Sequence, residues 1–171
     1  QTAARCGAHA VKFQKRENAT LYSRALLDAP YENENSYGHT YGEHREALEF
    51  GRSEYVACQS VAALAGVQFF ATAFDEPSAD FLVELDVPAI KLASGALTDQ
   101  ALVSYVASLG KPIILSTGGG TLADVDRAVG WLGRATFALL HCTAAYPVTN
   151  MVELHLRAIQ TMRERYPDLK K

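Results

Sequence analysis

Cysteine is scarce in this chain and badly spaced for bonding. The three present among 171 residues, Cys6, Cys58 and Cys142, form no Cys-x-x-Cys pair. That excludes a disulfide framework and leaves zinc or thioredoxin-like redox readings without their signal. Each cysteine reads as a small buried hydrophobe of a reduced, cytoplasmic protein. Long apolar runs are missing too, since none approaches the roughly 20 residues of a membrane helix. So is a basic excess. Sixteen Lys and Arg against nineteen Asp and Glu leave −3, which gives non-specific nucleic-acid binding no electrostatic footing. The opening residues Gln1, Thr2, Ala3, Ala4 and Arg5 lack the apolar centre of a signal peptide, and no Met precedes them. No Gly-x-Gly-x-x-Gly follows the first apolar run, so a dinucleotide-binding sheet loses its main mark. What is left is 49% hydrophobic and 20% charged, with 12 Gly and 6 Pro, the make-up of a single globular domain.

Five short apolar runs stand out, at residues 9–14, 67–72, 87–92, 112–116 and 137–141. Most are β-branched or aromatic-rich and too short for helices, which suits strands buried on both faces of a parallel sheet. Between and after them, apolar residues recur at spacings of three and four over 53–65, 78–85, 98–109, 121–132 and 152–166, predicting helices. Ser53, Ser78, Thr98 and Thr121 are N-cap types, and Gly66 and Gly110 fall where a left-handed residue ends a helix. The stretch 17–50 is long, polar and rich in Tyr, Asn and His; it reads as a functional loop, with His39 and His44 both inside it and not at metal-ligand spacing.

From the second run onward, strand starts about 20–25 residues apart indicate βα units. The predicted fold is α/β, a parallel (β/α) barrel of the TIM type, incomplete with about five βα units, because a full barrel takes at least about 200 residues. Chemistry in such folds gathers at the carboxyl ends of the strands. Lys12 and Gln14, Thr72, Lys91 and Ser94, Ser116, and His141 all fall there. Lysines within buried strands need an anion, and no acidic residue lies in any of the five runs. The Ser116-Thr117-Gly118-Gly119-Gly120 turn before a helix could add an anion nest of backbone N–H groups. Either lysine alone could snorkel, and the glycines alone could be a tight turn; together they point to a phosphate or carboxylate ligand. Lys91 also permits a Schiff-base aldolase, if its pKa is depressed. A non-catalytic binding module built from an open barrel is the other alternative. His141 reads as structural.

These segments resemble the sialic acid synthase family. The likeness rests on Ala10-Val11-Lys12-Phe13-Gln14, Thr40-Tyr41-Gly42-Glu43-His44, Ile90-Lys91-Leu92-Ala93-Ser94-Gly95, Pro112-Ile113-Ile114-Leu115-Ser116-Thr117-Gly118 and Leu140-His141-Cys142-Thr143-Ala144-Ala145-Tyr146-Pro147, in matching order and spacing. The Tyr-Gly-Glu-His stretch resembles the branch that includes animal N-acylneuraminate synthases. The resemblance implies a (β/α)8 barrel that condenses phosphoenolpyruvate with N-acetylmannosamine, or a phosphorylated or related acyl-amino sugar, and releases phosphate. It implies help from a divalent metal, manganese or magnesium. Lys12, Thr72, Lys91, Ser94 and Ser116 then correspond to the phosphoenolpyruvate-binding set, and Gln14 and Tyr146 to residues near the sugar and metal. Departures are Ala96, where the family usually has an acidic residue, and Ala144, where many members carry Asn or Ser. The family's first-strand catalytic glutamate, its two metal-binding histidines and its C-terminal antifreeze-like domain have no counterpart here. The expectation is therefore a barrel cut short at both ends, at residues 1–171. It would lack metal ligands, bind phosphoenolpyruvate weakly, turn over little, and self-associate through exposed barrel edges.

Overall fold

A computed structural model describes residues 1–167; the segment Asp168, Leu169, Lys170 and Lys171, where the expected barrel is cut short, lies outside the described residues. The chain divides into two compact units, Gln1–Pro88 and a second from Ala89 onward.

The first unit contains α1 (Thr2–Arg5), β1 (Ala10–Lys15), α2 (Asn18–Leu21), α3 (Arg24–Leu27), α4 (Tyr41–Leu48), α5 (Arg52–Leu64), β2 (Gln68–Ala73) and α6 (Glu76–Glu84). β1 and β2 run parallel, from Ala10 opposite Gln68 to Lys15 opposite Ala73. Parallel neighbours need a crossover between them, and the helices after β1 supply it. α5 and α6 pack on β2. Tyr55, Phe69, Ala71, Ala73, Leu82 and Val87 are buried between them, the larger ones worth about 1.5–3 kcal/mol each.

The second unit contains β3 (Ile90–Leu92), a 3-10 turn (Ser94–Ala96), α7 (Gln100–Ser108), β4 (Ile113–Ser116), α8 (Leu122–Leu132), β5 (Phe137–Leu140), a second 3-10 turn (Met151–Leu154) and α9 (Arg157–Arg165). β3, β4 and β5 are parallel neighbours, with Ile90 opposite Ile113 and Ile113 opposite Phe137. α7 packs on α8, and Leu102, Val103, Val106, Val125, Ala128 and Leu132 are buried. Five strands, each followed by helix, make the α/β fold of an incomplete (β/α) barrel.

The expectations shift in five places. Burial on both faces holds for β2, β3 and β4, but β1 and β5 only half-bury alternate residues and expose the others. β3 is shorter than 87–92, because Pro88 has no N–H to give a ladder and Asp86 turns left-handed at φ 52°. Three helices begin from other caps: Asp75 and Asp99 accept from Ser78 and Leu102 N–H, where Ser78 and Thr98 were expected. α5 starts at Gly51 without a side-chain cap, not at Ser53. The helix expected over 152–166 is broken at His155, whose left-handed backbone, φ 44°, cannot continue a right-handed turn. Finally, the stretch 17–50 is not one loop but carries α2, α3 and α4, and His44 lies on α4. Thr121, Gly66 and Gly110 stand as expected, the glycines at φ 71° and 73°.

The three cysteines are free, but Cys6 is exposed and Cys58 and Cys142 half-buried, so none is the buried hydrophobe expected. Among the described residues no helix is long and apolar enough to cross a membrane.

Candidate functional site

Two lysine–hydroxyl pairs form, one in each unit, both at carboxyl ends of parallel strands. In the first, the Lys12 ammonium donates to Thr72 Oγ1 at 3.3 Å. β1 puts Lys12 and Gln14 on one face, and the register sets Gln14 opposite Thr72. The premise that Lys12 is buried fails: that face of β1 is exposed, so the lysine bears little desolvation cost. Thr72 is 1% exposed. The strand end is braced from behind. Tyr55, fully buried, donates its hydroxyl to Gln14 O at 2.7 Å, and burial, then Glu49, raises its pKa. On the other face, Lys15 pairs with Glu49 at 3.1 Å, both largely buried. Arg16, which sequence reasoning passed over, donates to Gln14 Oε1 at 2.5 Å. Its signal was position: it is a basic residue two places beyond Gln14, just past the end of β1.

In the second unit Lys91, half-buried on β3, donates to Ser116 Oγ at 2.7 Å. Burial lowers its pKa below the ordinary lysine value, and the nearby Cys142 thiol opposes that in part. The Ser94 Oγ accepts the Gly118 N–H at 3.0 Å. That bond uses one lone pair of Ser94 and leaves its O–H to donate. Gly118 must be glycine, because a Cβ there would sit 2.9 Å from Ser94 Oγ and 3.1 Å from Cys142 Cβ.

The anion nest does not form as expected. Gly118 N–H goes to Ser94, Gly120 N–H returns to Thr117 O at 3.3 Å, and Asp124 takes the Thr121 N–H at 2.7 Å. These donors are already used, and Asp124 puts a carboxylate where an anion would bind. Tyr146 is 97% exposed in the loop after β5. Among the described residues it makes no hydrogen bond with Lys91, Ser94 or Ser116. His141 is structural, its Nε2 meeting Leu154 O at 2.7 Å.

Among the described residues no three His, Cys, Asp or Glu side chains gather as metal ligands would. The donors at the strand ends are ammonium groups and hydroxyls, a set that suits an anion and does not fit a divalent metal.

The NeuB family pattern matches residues 1–170. N-acetylneuraminate-9-phosphate synthase of Drosophila melanogaster is 38% identical over 170 residues, 98% of this chain and 45% of that protein. N,N'-diacetyllegionaminic acid synthase of Legionella pneumophila is 33% identical over 168 residues, 94% and 47%. The crystal structure of the sialic acid synthetase of Leptospira borgpetersenii in complex with citrate is 30% identical. It superposes with a TM-score of 0.75 over 96% of this chain and 53% of that one. This chain thus spans about half the length of the curated relatives it matches. By sequence match over nearly its whole length, and by a shared fold, the chain belongs to the NeuB family.

Proposed function

We propose that this chain is the phosphoenolpyruvate-binding part of an enzyme that joins phosphoenolpyruvate to N-acetylmannosamine or a related acyl-amino sugar. The products are a sialic-acid-like nonulosonic acid and phosphate. The observation that carries this is the repeated pair, Lys12 with Thr72 and Lys91 with Ser116, each at the carboxyl end of a parallel strand. Phosphoenolpyruvate bears a phosphate and a carboxylate. Each pair offers a cation beside a hydroxyl, the charge-assisted donors that such groups bind. The activities in the names of the relatives support the same substrates.

In the reaction, C3 of phosphoenolpyruvate bonds to the aldehyde carbon of the sugar, water enters at C2, and phosphate leaves. The lysines hold the anionic groups and stabilise the charge on the departing phosphate, while Ser94, Ser116 and Thr72 orient it. Gln14 and Tyr146 serve the sugar. Residues 1–171 are then part of the catalytic barrel of a cytoplasmic homo-oligomer.

Titrating phosphoenolpyruvate into the full-length protein tests this. Lys12→Met and Lys91→Met each weaken binding by about 10- to 100-fold, the worth of a hydrogen-bonded charge; undiminished affinity in both overturns the proposal. The lowered pKa of Lys91 favours one second reading, a Schiff base. Borohydride with pyruvate then adds mass at Lys91, whereas the synthase reading forms no imine.

A further inference from the structure

On the proposed reading, the reacting aldehyde meets phosphoenolpyruvate near the strand ends, and the far end of the sugar needs its own contacts. β1 supplies a ladder toward it. Lys12 and Gln14 share a face, two residues apart and so about 6.6 Å in rise. Arg16 follows directly on the end of β1 at Lys15. Its guanidinium bonds Gln14 Oε1 at 2.5 Å, which puts it on that same side.

Three features make this guanidinium a built site and not a loose surface charge. It is held in place, stacked 4.0 Å above the Phe74 ring and tied to Gln14. The side chain is half-buried. And two nearby carboxylates are committed elsewhere. Glu49 Oε1 takes the Lys15 ammonium and the Arg16 backbone N–H, and Asp75 takes the N–H groups of Glu17 and Ser78. Among the described residues the Arg16 guanidinium forms no ion pair. One of its five N–H donors goes to Gln14, and the fork that remains matches the oxygens of a phosphate. The same bond leaves the Gln14 amide N–H2 free to donate to the sugar.

We infer that Arg16 is a specificity-determining residue: it recognises a phosphate ester at the far end of the acyl-amino sugar and selects the phosphorylated acceptor over the unphosphorylated one. The inference rests on the proposed function for the identity of the acceptor.

The test compares the full-length protein with its Arg16→Gln and Arg16→Lys variants, using N-acetylmannosamine 6-phosphate and N-acetylmannosamine as acceptors with saturating phosphoenolpyruvate. Arg16→Gln raises KM for the phosphorylated sugar by about 10- to 100-fold, with kcat within about threefold and selectivity between the two sugars falling by the same factor. Arg16→Lys recovers part of the loss, since it keeps the charge but not the fork. If KM shifts equally for both acceptors, or for neither, Arg16 merely packs on Phe74 and the inference is overturned. If neither acceptor turns over, it is the proposed function that has failed. Calorimetric titration of the sugar phosphate then decides for Arg16: weaker binding by Arg16→Gln upholds its role, and equal binding to both proteins overturns it.

Discussion

Lys91 works against its surroundings. Burial disfavours its charged form and lowers its pKa, yet an anionic ligand needs that charge. On the proposed function, bound phosphoenolpyruvate would pull the pKa back up, with proton uptake on binding at pH values between the lowered and the restored pKa. The sign follows: affinity is full at pH values below the lowered pKa and declines as pH rises through it. We expect binding measured across pH 7–10 to weaken toward the alkaline end, and Lys91→Met to flatten that profile as well as lower the affinity. A profile unaltered by the substitution would show that another group titrates. For stability alone the sign is opposite. A lysine with a folded pKa below its unfolded one binds fewer protons when folded, so its burden on the fold is relieved as pH rises through that window. At this scale the sequence was partly legible. Residue type and strand-end position singled out Lys12, Thr72, Lys91, Ser94 and Ser116. The partner of Ser94 was not visible, because a backbone N–H brought near by a glycine leaves no trace in side-chain chemistry.

Among the elements, the Thr40-Tyr41-Gly42-Glu43-His44 segment shows what a specific motif does for local structure. Thr40 and Glu43 form a reciprocal capping box that starts α4. The N–H groups of His39 and then Thr40 hold the Glu43 carboxyl below its ordinary range. A Cβ on Gly42 would sit 2.9 Å from Leu27 O, and the His44 ring lies 4.6 Å from that of Tyr31. The polar composition of 17–50 hid these helices, since much of their stability comes from caps and ring contacts and little from an apolar stripe. The last helix is fastened differently. Arg165 grips Asp126 of α8 through two hydrogen bonds of 2.6 Å, and Tyr166 adds a third at 2.7 Å. This holds the Asp126 pKa at about 2. A depressed carboxylate contributes stability above its unfolded pKa and loses it as pH falls through the folded one. Asp126→Asn, or acidification toward pH 2 with the intrinsic exchange rate divided out, should thus lower amide protection across α9 while leaving α7 protected. Equal protection of α9 in variant and parent would mean that Met162 and its neighbours suffice to dock it.

For the molecule as a whole, β1 and β5 each have one described partner strand and each leave alternate residues exposed. An open strand edge pairs readily with another chain. We expect the isolated 171-residue chain to self-associate, with light scattering giving a mass that grows with concentration; a constant monomer mass from micromolar to millimolar would refute this. The alternation of strand and helix was legible because apolar runs and turn residues recur with a regular period. Which faces lie open was not, because burial depends on what stands opposite each strand and not on the strand's own residues.

The alternation of β1 has a consequence for how such a chain can vary over generations. Lys12 and Gln14 project together only while an even count separates them. Losing or gaining one codon between them would swing the later one behind the sheet, toward the place of Lys15 and Glu49. Substitutions there can be sampled one by one, but changes of length cannot, so indels among natural variants should collect in the polar stretch between β1 and α5 and spare the strand itself.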